Sequence, residues 1–195
     1  MPKLGDMTDQ GENEIIGRLT DIFLRRGSDS YLGEAVTMSE HMLQAAILAQ
    51  SEGADDSLIV AALLHDVGHY AEEFNAYAPT DTFDKRHEVI GAQLLALYFD
   101  QRIVTAVRLH VAAKRYLCAT RPEYLSMLSA ASVHTLELQG GSMSPSEVVE
   151  FERNVGFRDA VRVRMWDDQA KVAGVLTPSF DDFVPLLRQV LKIKK

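Results

Sequence analysis

The sequence predicts an all-α fold, a compact helical bundle in one domain spanning 1–195, and three observations carry that reading. Apolar residues recur at three- and four-residue steps along most of the chain, the spacing of a helix face. Alternating strand patterns are hard to find. Thr37-Met-Ser-Glu40 and Ser144-Pro-Ser-Glu147 are capping boxes, the signature of a helix start. At 195 residues the chain has the length of one ordinary domain with a full core.

Taken in order, residues 1–10 read as a flexible N-terminus. Ile15, Leu19, Ile22 and Phe23 then form an apolar stripe closed by Gly27. Residues 28–36 are polar, carry Gly33, and on their own read as a surface turn. Thr37 caps a helix whose buried stripe holds His41, Ala45 and Leu48 and which Gly53 ends. The next helix begins near Asp56 or Ser57 and runs through Leu58 to His65, with Gly68 as its stop. Residues 70–86 form an irregular loop, acidic and aromatic, with Glu72, Glu73, Phe74, Tyr77 and Phe83. A following helix carries His87, Ile90, Gly91, Leu94 and Tyr98 on one face. Another aligns Val107, His110, Val111 and Lys114. Pro122 suits the first turn of a long helix ended by Gly140-Gly141. Helices from Ser144, over Phe157–Asp168 and from Ser179-Asp182 complete the chain, Pro185 falling early enough in the last to be tolerated. The total is eight or nine helices.

Composition excludes several functions. Hydrophobic content of 47% and charged content of 25% are ordinary for a globular protein. A net charge of −8 argues against a nucleic-acid partner, which needs a basic face, although a locally positive site for a small anion is compatible with it. Cys118 is the single cysteine, so no internal disulfide forms and a reducing compartment is expected. No run reaches the roughly 18 apolar residues of a membrane span, and Met1–Asp9 lacks the pattern of a secretion signal. The expectation is a cytoplasmic protein, a monomer or weak homo-oligomer, with neither nucleic acid nor membrane as partner.

The chemistry centres on Ala61-Ala-Leu-Leu-His65-Asp66-Val-Gly-His69-Tyr70, an apolar run ending in adjacent histidine and aspartate. His41, His87 and His110, taken singly, each read more readily as a hydrogen-bonded core histidine than as a ligand. Together with His65 and Asp66 they place imidazoles and a carboxylate on the inner faces or ends of separate helices, which is how helical bundles build metal sites. Histidine and carboxylate ligands without thiolate suit iron, manganese or zinc.

The order His41, His65-Asp66 and the late Asp167 resembles the HD superfamily of metal-dependent phosphohydrolases, and His87 and His110 fit its two-metal branch. Tyr31-Leu-Gly-Glu34, Ala61 to Tyr70, His110-Val-Ala-Ala-Lys114-Arg-Tyr-Leu117 and Trp166-Asp167 resemble more closely the mixed-valence di-iron oxygenases that cleave 1-hydroxyphosphonates. That resemblance implies two irons, Fe(II) and Fe(III), held by His41, His65, Asp66, His87, His110 and Asp167, with Asp66 as bridge and O2 as co-substrate. It implies a small-molecule 1-hydroxyphosphonate substrate, the trimethylammonio compound giving glycine betaine and phosphate, or its 2-amino analogue giving glycine. A two-metal phosphohydrolase acting on a small phosphate ester or nucleotide is the alternative.

The other polar residues make sense in that light. Lys114 lies one turn beyond His110, Arg164 three residues before Asp167, and Ser132, Thr135 and Gln139 share a helix face, all donors suited to a phosphonate dianion. The resemblance adds His69 to the substrate side and makes Tyr31 and Glu34 parts of a lid, Tyr31 taking an iron position without substrate and Glu34 facing the substrate's nitrogen. The acids and aromatics of 70–86 favour a quaternary ammonium, which π faces and negative charge recognise.

Overall fold

The computed structural model describes residues 4–70 and 81–192, with side chains from residue 11 onward. Ten α-helices lie within them: α1 Leu4–Arg26, α2 Met38–Ser51, α3 Asp56–Leu64, α4 His87–Leu95, α5 Gln101–Thr120, α6 Tyr124–Met127, α7 Ala130–Leu138, α8 Pro145–Glu152, α9 Phe157–Gln169 and α10 Phe180–Gln189. One 3-10 turn, Val67–His69, lies between α3 and α4. Among the described residues there is no strand, only two isolated antiparallel bridges, Ser30 with Thr37 and Phe99 with Leu191. No described helix is long and apolar enough to cross a membrane. α1 begins at Leu4, within the stretch read as a flexible N-terminus. Residues 71–80, with Glu72, Glu73, Phe74 and Tyr77, lie outside the described residues, and 81–86 hold no helix.

α3 is the axis of the bundle. Every residue from Leu58 to Leu64 is buried, so this helix has no solvent face and its sequence is a continuous apolar run. α2 packs on α3 and α9, while α5 packs on α3, α4 and α9. These five helices surround one point, the C-terminal end of α3. α1 and α10 pair on the outside, and a smaller cluster of Phe151, Ala113 and Ala160 ties α8 to α5 and α9.

The caps explain the starts. Thr37, Ser144 and Ser179 each form a full capping box. The long helix expected from Pro122 to Gly140 is instead two. Leu128 is extended, and the Ser129 side chain accepts the Ser132 amide and starts α7. A serine hydroxyl that satisfies a backbone N–H offers the chain a fresh helix start in place of continuation. This break is one reason the count exceeds eight or nine.

Gly68 is not the stop of α3. The helix ends at Leu64, where the last-turn carbonyl of Ala62 accepts the His65 Nδ1–H at 2.8 Å. Gly68 instead permits close packing: a Cβ there would lie 2.0 Å from the His87 carbonyl oxygen and 2.6 Å from the Gly91 nitrogen. A Cβ on Gly91 meets its nearest atoms at only 3.3 to 3.5 Å. Gly68→Ala is therefore expected to cost about 2–3 kcal/mol and lower Tm by about 5–10 °C. Gly91→Ala should cost clearly less in the same thermal denaturation, and equal shifts would refute the packing account.

Candidate metal centre

At the end of α3 the chain turns sharply: His65 is still helical (φ −57°, ψ −37°), Asp66 is not (φ −103°, ψ 8°), and the 3-10 turn follows. The turn leaves the Asp66 carboxylate at the centre of the five helices, 2% exposed. Its Oδ2 lies 3.5 Å from His65 Nε2 and 3.7 Å from His41 Nε2. Its Oδ1 lies 3.1 Å from His87 Nε2 and 3.2 Å from His110 Nε2. The two Nε2 atoms of each pair face one another, at 3.0 Å for His41 and His65 and 3.1 Å for His87 and His110. Asp167, from α9, joins the first pair, its oxygens 3.5 Å from His41 and 3.6 Å from His65.

The outer nitrogens fix which atoms point inward. His41 Nδ1 donates to Ala170 O at 2.9 Å, His65 Nδ1 to Ala62 O at 2.8 Å, and His110 Nδ1 to Val107 O at 2.6 Å. A carbonyl only accepts, so each Nδ1 carries hydrogen and each Nε2 offers its lone pair in the neutral ring. Burial pushes His41 down to about 3, and burial with neighbouring His69 does the same to His87, so both rings stay neutral. Burial also works against a charged His65, but Asp66 and Asp167 outweigh it and raise that ring to about 9. Asp66 Oδ1 and Asp167 Oδ1 are buried with no hydrogen-bond partner. Imidazole nitrogens facing one another beside unsatisfied carboxylate oxygens suit a cation between them. The donor set, imidazole and carboxylate without sulfur, fits two ions joined through Asp66. Asp66, His69 and His87 also bring ligand atoms within 4.8 Å of one another. His69 itself stacks on His87 with centroids 3.8 Å apart.

Tyr31 covers the first pair. Its hydroxyl donates to Asp66 Oδ2 at 2.5 Å and its ring stacks on His41 at 3.8 Å. Burial, then the Asp66 charge, raises its pKa well above the usual value, so it remains a phenol. Leu32 (φ 51°) and Gly33 (φ 78°) are both left-handed and turn the chain back, and the bridge from Ser30 to Thr37 closes the loop. Glu34 points elsewhere: its Oε1 accepts from Ser129 Oγ at 2.5 Å and lies 3.7 Å from Lys171 Nζ.

Beside the centre lies a cavity of about 40 Å³, room for only a few waters. Its wall includes Tyr31, His69, Lys114, Ser132, Thr135, Gln139 and Arg164, with Asp81, Phe83, Asp84 and Lys85 on another side. Lys114 Nζ donates to Thr135 Oγ1 at 2.7 Å. Burial and then the neighbouring Arg164 lower it to about 7, against the pull of Asp167 and Asp168, with Lys171 adding to the lowering. Arg164 pairs with Asp167 Oδ2 at 2.5 Å, and its Nε donates to Asp168 Oδ2 at 3.1 Å. Tyr124 also donates to Asp168. Two acids thus hold the guanidinium charged and in place.

Three further residues matter here, two of them hard to read in sequence. Lys171 donates to Ser132 Oγ at 2.9 Å. Its position depends on Gln44, whose amide grips the Val172 backbone at 2.9 and 3.1 Å and holds the chain after α9. Asp168 is four residues from Arg164, a spacing that helix periodicity does flag.

The HD domain family matches residues 38–139, a span that holds His41, His65, Asp66, His87 and His110 but not Asp167. The chain is 46% identical over 186 residues, 95% of each chain, to a 1-hydroxy-2-(trimethylamino)ethylphosphonate dioxygenase (glycine-betaine-forming) of Leisingera caerulea. It is 42% identical to a hydroxymethylphosphonate dioxygenase of Gimesia maris, over 85% of this chain and 84% of that one. It is 35% identical to an uncharacterised protein of Acanthamoeba polyphaga mimivirus, over 90% of this chain and 81% of that one.

Metal binding at this centre is measurable without any substrate. Mn(II) at about a thousandfold over its Kd should add about 4 kcal/mol to folding and raise Tm by about 8–16 °C. Asp66→Asn should remove the rise. A wild-type Tm that Mn(II) leaves unmoved would exclude a folded-state metal site.

Proposed function

The chain belongs to the HD domain family, and from that premise we propose that it is a non-haem di-iron dioxygenase of organophosphonate breakdown. Its substrate is 1-hydroxy-2-(trimethylamino)ethylphosphonate, cleaved with O2 to glycine betaine and phosphate; the 2-amino compound, giving glycine, is a secondary substrate. The observation that carries the reading is Asp66, one oxygen toward each histidine pair, beside a pocket walled by Lys114 and Arg164. The substrate is taken from the likeness to the Leisingera caerulea enzyme. The reaction balances without an added reductant: the carbon–phosphorus bond breaks, one atom of O2 goes to carbon and the other to phosphorus. A cytoplasmic setting and a single HD-type domain over 1–195 accord with its lone cysteine and the helical architecture of the described residues.

His41, His65, Asp66 and Asp167 are the ligands we assign to one iron and His87, His110 and Asp66 those for the other. The irons would, when bound, activate O2, which is the oxidant for the substrate carbon. Everything else falls to the chain's own groups. Lys114, Arg164, Ser132, Thr135, Gln139 and His69 offer charge and donors to the phosphonate oxygens and so fix the C1 carbon beside the metals. Tyr31 lies on Asp66 and lines the cavity, so movement of the 31–34 segment would open the metals to substrate. Its return excludes water. Glu34, once released from Lys171, supplies a counter-charge for the ammonium. Phe83 offers a π face at the mouth of the cavity, and Asp81 and Asp84 offer negative charge.

Iron-loaded protein held without oxygen should release no phosphate, then release one phosphate per O2 once air is admitted, with glycine betaine as co-product. Phosphate released under strict anaerobiosis would replace this reading with a hydrolase. His65→Ala and Asp66→Ala should each abolish turnover, and retention of two irons with full activity in either would count against the assignment. Lys114 gives a pH signature. Its ammonium is present below about pH 7 and lost above it, so kcat/KM for the dianion should fall as pH rises past 7. Lys114→Arg, charged throughout, should remove that limb, and Lys114→Met should raise KM about 10- to 100-fold.

A further inference from the structure

Of the four histidines around Asp66, three are anchored from behind by a backbone carbonyl. His87 is not. Its ring is restrained on one face by the stacked His69, which limits tilt but not rotation within the ring's own plane. Its Nδ1 lies 3.9 Å from a carboxylate oxygen, Glu88 Oε2. Glu88 is 8% exposed, and that oxygen is buried without a hydrogen-bond partner. A buried acceptor without a partner therefore stands beside the Nδ1 edge of His87 in the first turn of α4. A shift of about 1 Å brings the two to charge-assisted hydrogen-bond length. The left-handed Arg86 (φ 52°), whose amide is held by Asp84 at 2.9 Å, fixes where that turn starts.

We propose that Glu88 is the positioning residue for His87: its carboxylate takes the Nδ1–H and aims Nε2 at the second metal pocket. This rests on the two-metal reading above. The assignment also evens out the charge. The first pocket has Asp167 as well as its share of Asp66, whereas the second has only its share of Asp66. A carboxylate behind a metal-bound imidazole raises its basicity, so Glu88 delivers negative charge to the second metal through the ring. Glu88 touches neither substrate nor metal in this account.

Anaerobic titration of the whole chain with Fe(II), with bound metal counted by equilibrium dialysis, tests this without any turnover. Wild type is expected to take two Fe(II) per chain. Glu88→Ala should weaken one site 10- to 100-fold and leave the other unchanged. Glu88→Gln, whose amide oxygen still accepts the Nδ1–H, should fall between the two. In a His87→Ala background, Glu88→Ala should add nothing further, because Glu88 acts only through that ring. Circular dichroism and Tm of each variant establish that it is folded. Wild-type affinity at both sites in Glu88→Ala overturns the proposal, as does equal weakening of both sites or an additive effect on His87→Ala. A wild-type chain that takes only one Fe(II) overturns the two-metal reading and this inference with it.

Discussion

Asp66 has to present its two oxygens in different directions from a single backbone position, and much of the local structure follows from that constraint. The chain meets the requirement by ending α3 at Leu64 and inserting one 3-10 turn. That turn must then pass close to α4, which is why position 68 has no room for a side chain. The four histidines arrive from α2, the end of α3, the first residue of α4 and the middle of α5. Removing the central carboxylate would leave two histidine pairs with no common partner.

Charge is arranged in layers around this point. Innermost are buried carboxylates and imidazoles; next come Arg164, Lys114 and Lys171; outside these lie Asp168 and Glu34. A protein of net charge −8 thereby keeps a cationic wall beside its centre. The cations are not loose. Arg164 is pinned by two acids, Lys114 by Thr135, and Lys171 by Ser132, so little ordering remains to be done when an anion arrives.

Much of this was legible in sequence where the determinant is local. Capping boxes at Thr37 and Ser144 mark real helix starts, and three- and four-residue spacing aligns Val107, His110, Val111 and Lys114, all of them buried. The histidines and aspartates of the centre stood out because each sits on an otherwise apolar helix face or end. Where geometry is set by contacts distant in sequence, the reading falls short. The break at Ser129 looks in sequence like one more polar residue in a long helix. Gly68 looks like a helix stop, although its role is set by the His87 backbone 19 positions on. Lys171 lies past the end of α9, where no periodicity assigns a direction. Glu88 stands beside His87 and attracts notice only once the other three outer nitrogens are seen to be satisfied.

The hydrogen bond from His41 to the carbonyl of Ala170 spans 129 residues, while the second histidine pair and Asp66 all fall between positions 66 and 110. The two halves of the centre therefore become available at different moments as the chain leaves the ribosome. The half built on α4 and α5 is encoded before α9. The half that needs Asp167 and Ala170 must wait until nearly the whole chain has emerged. Asp66 belongs to both, so one carboxylate joins a half set by neighbouring segments to a half that depends on the far end of the chain.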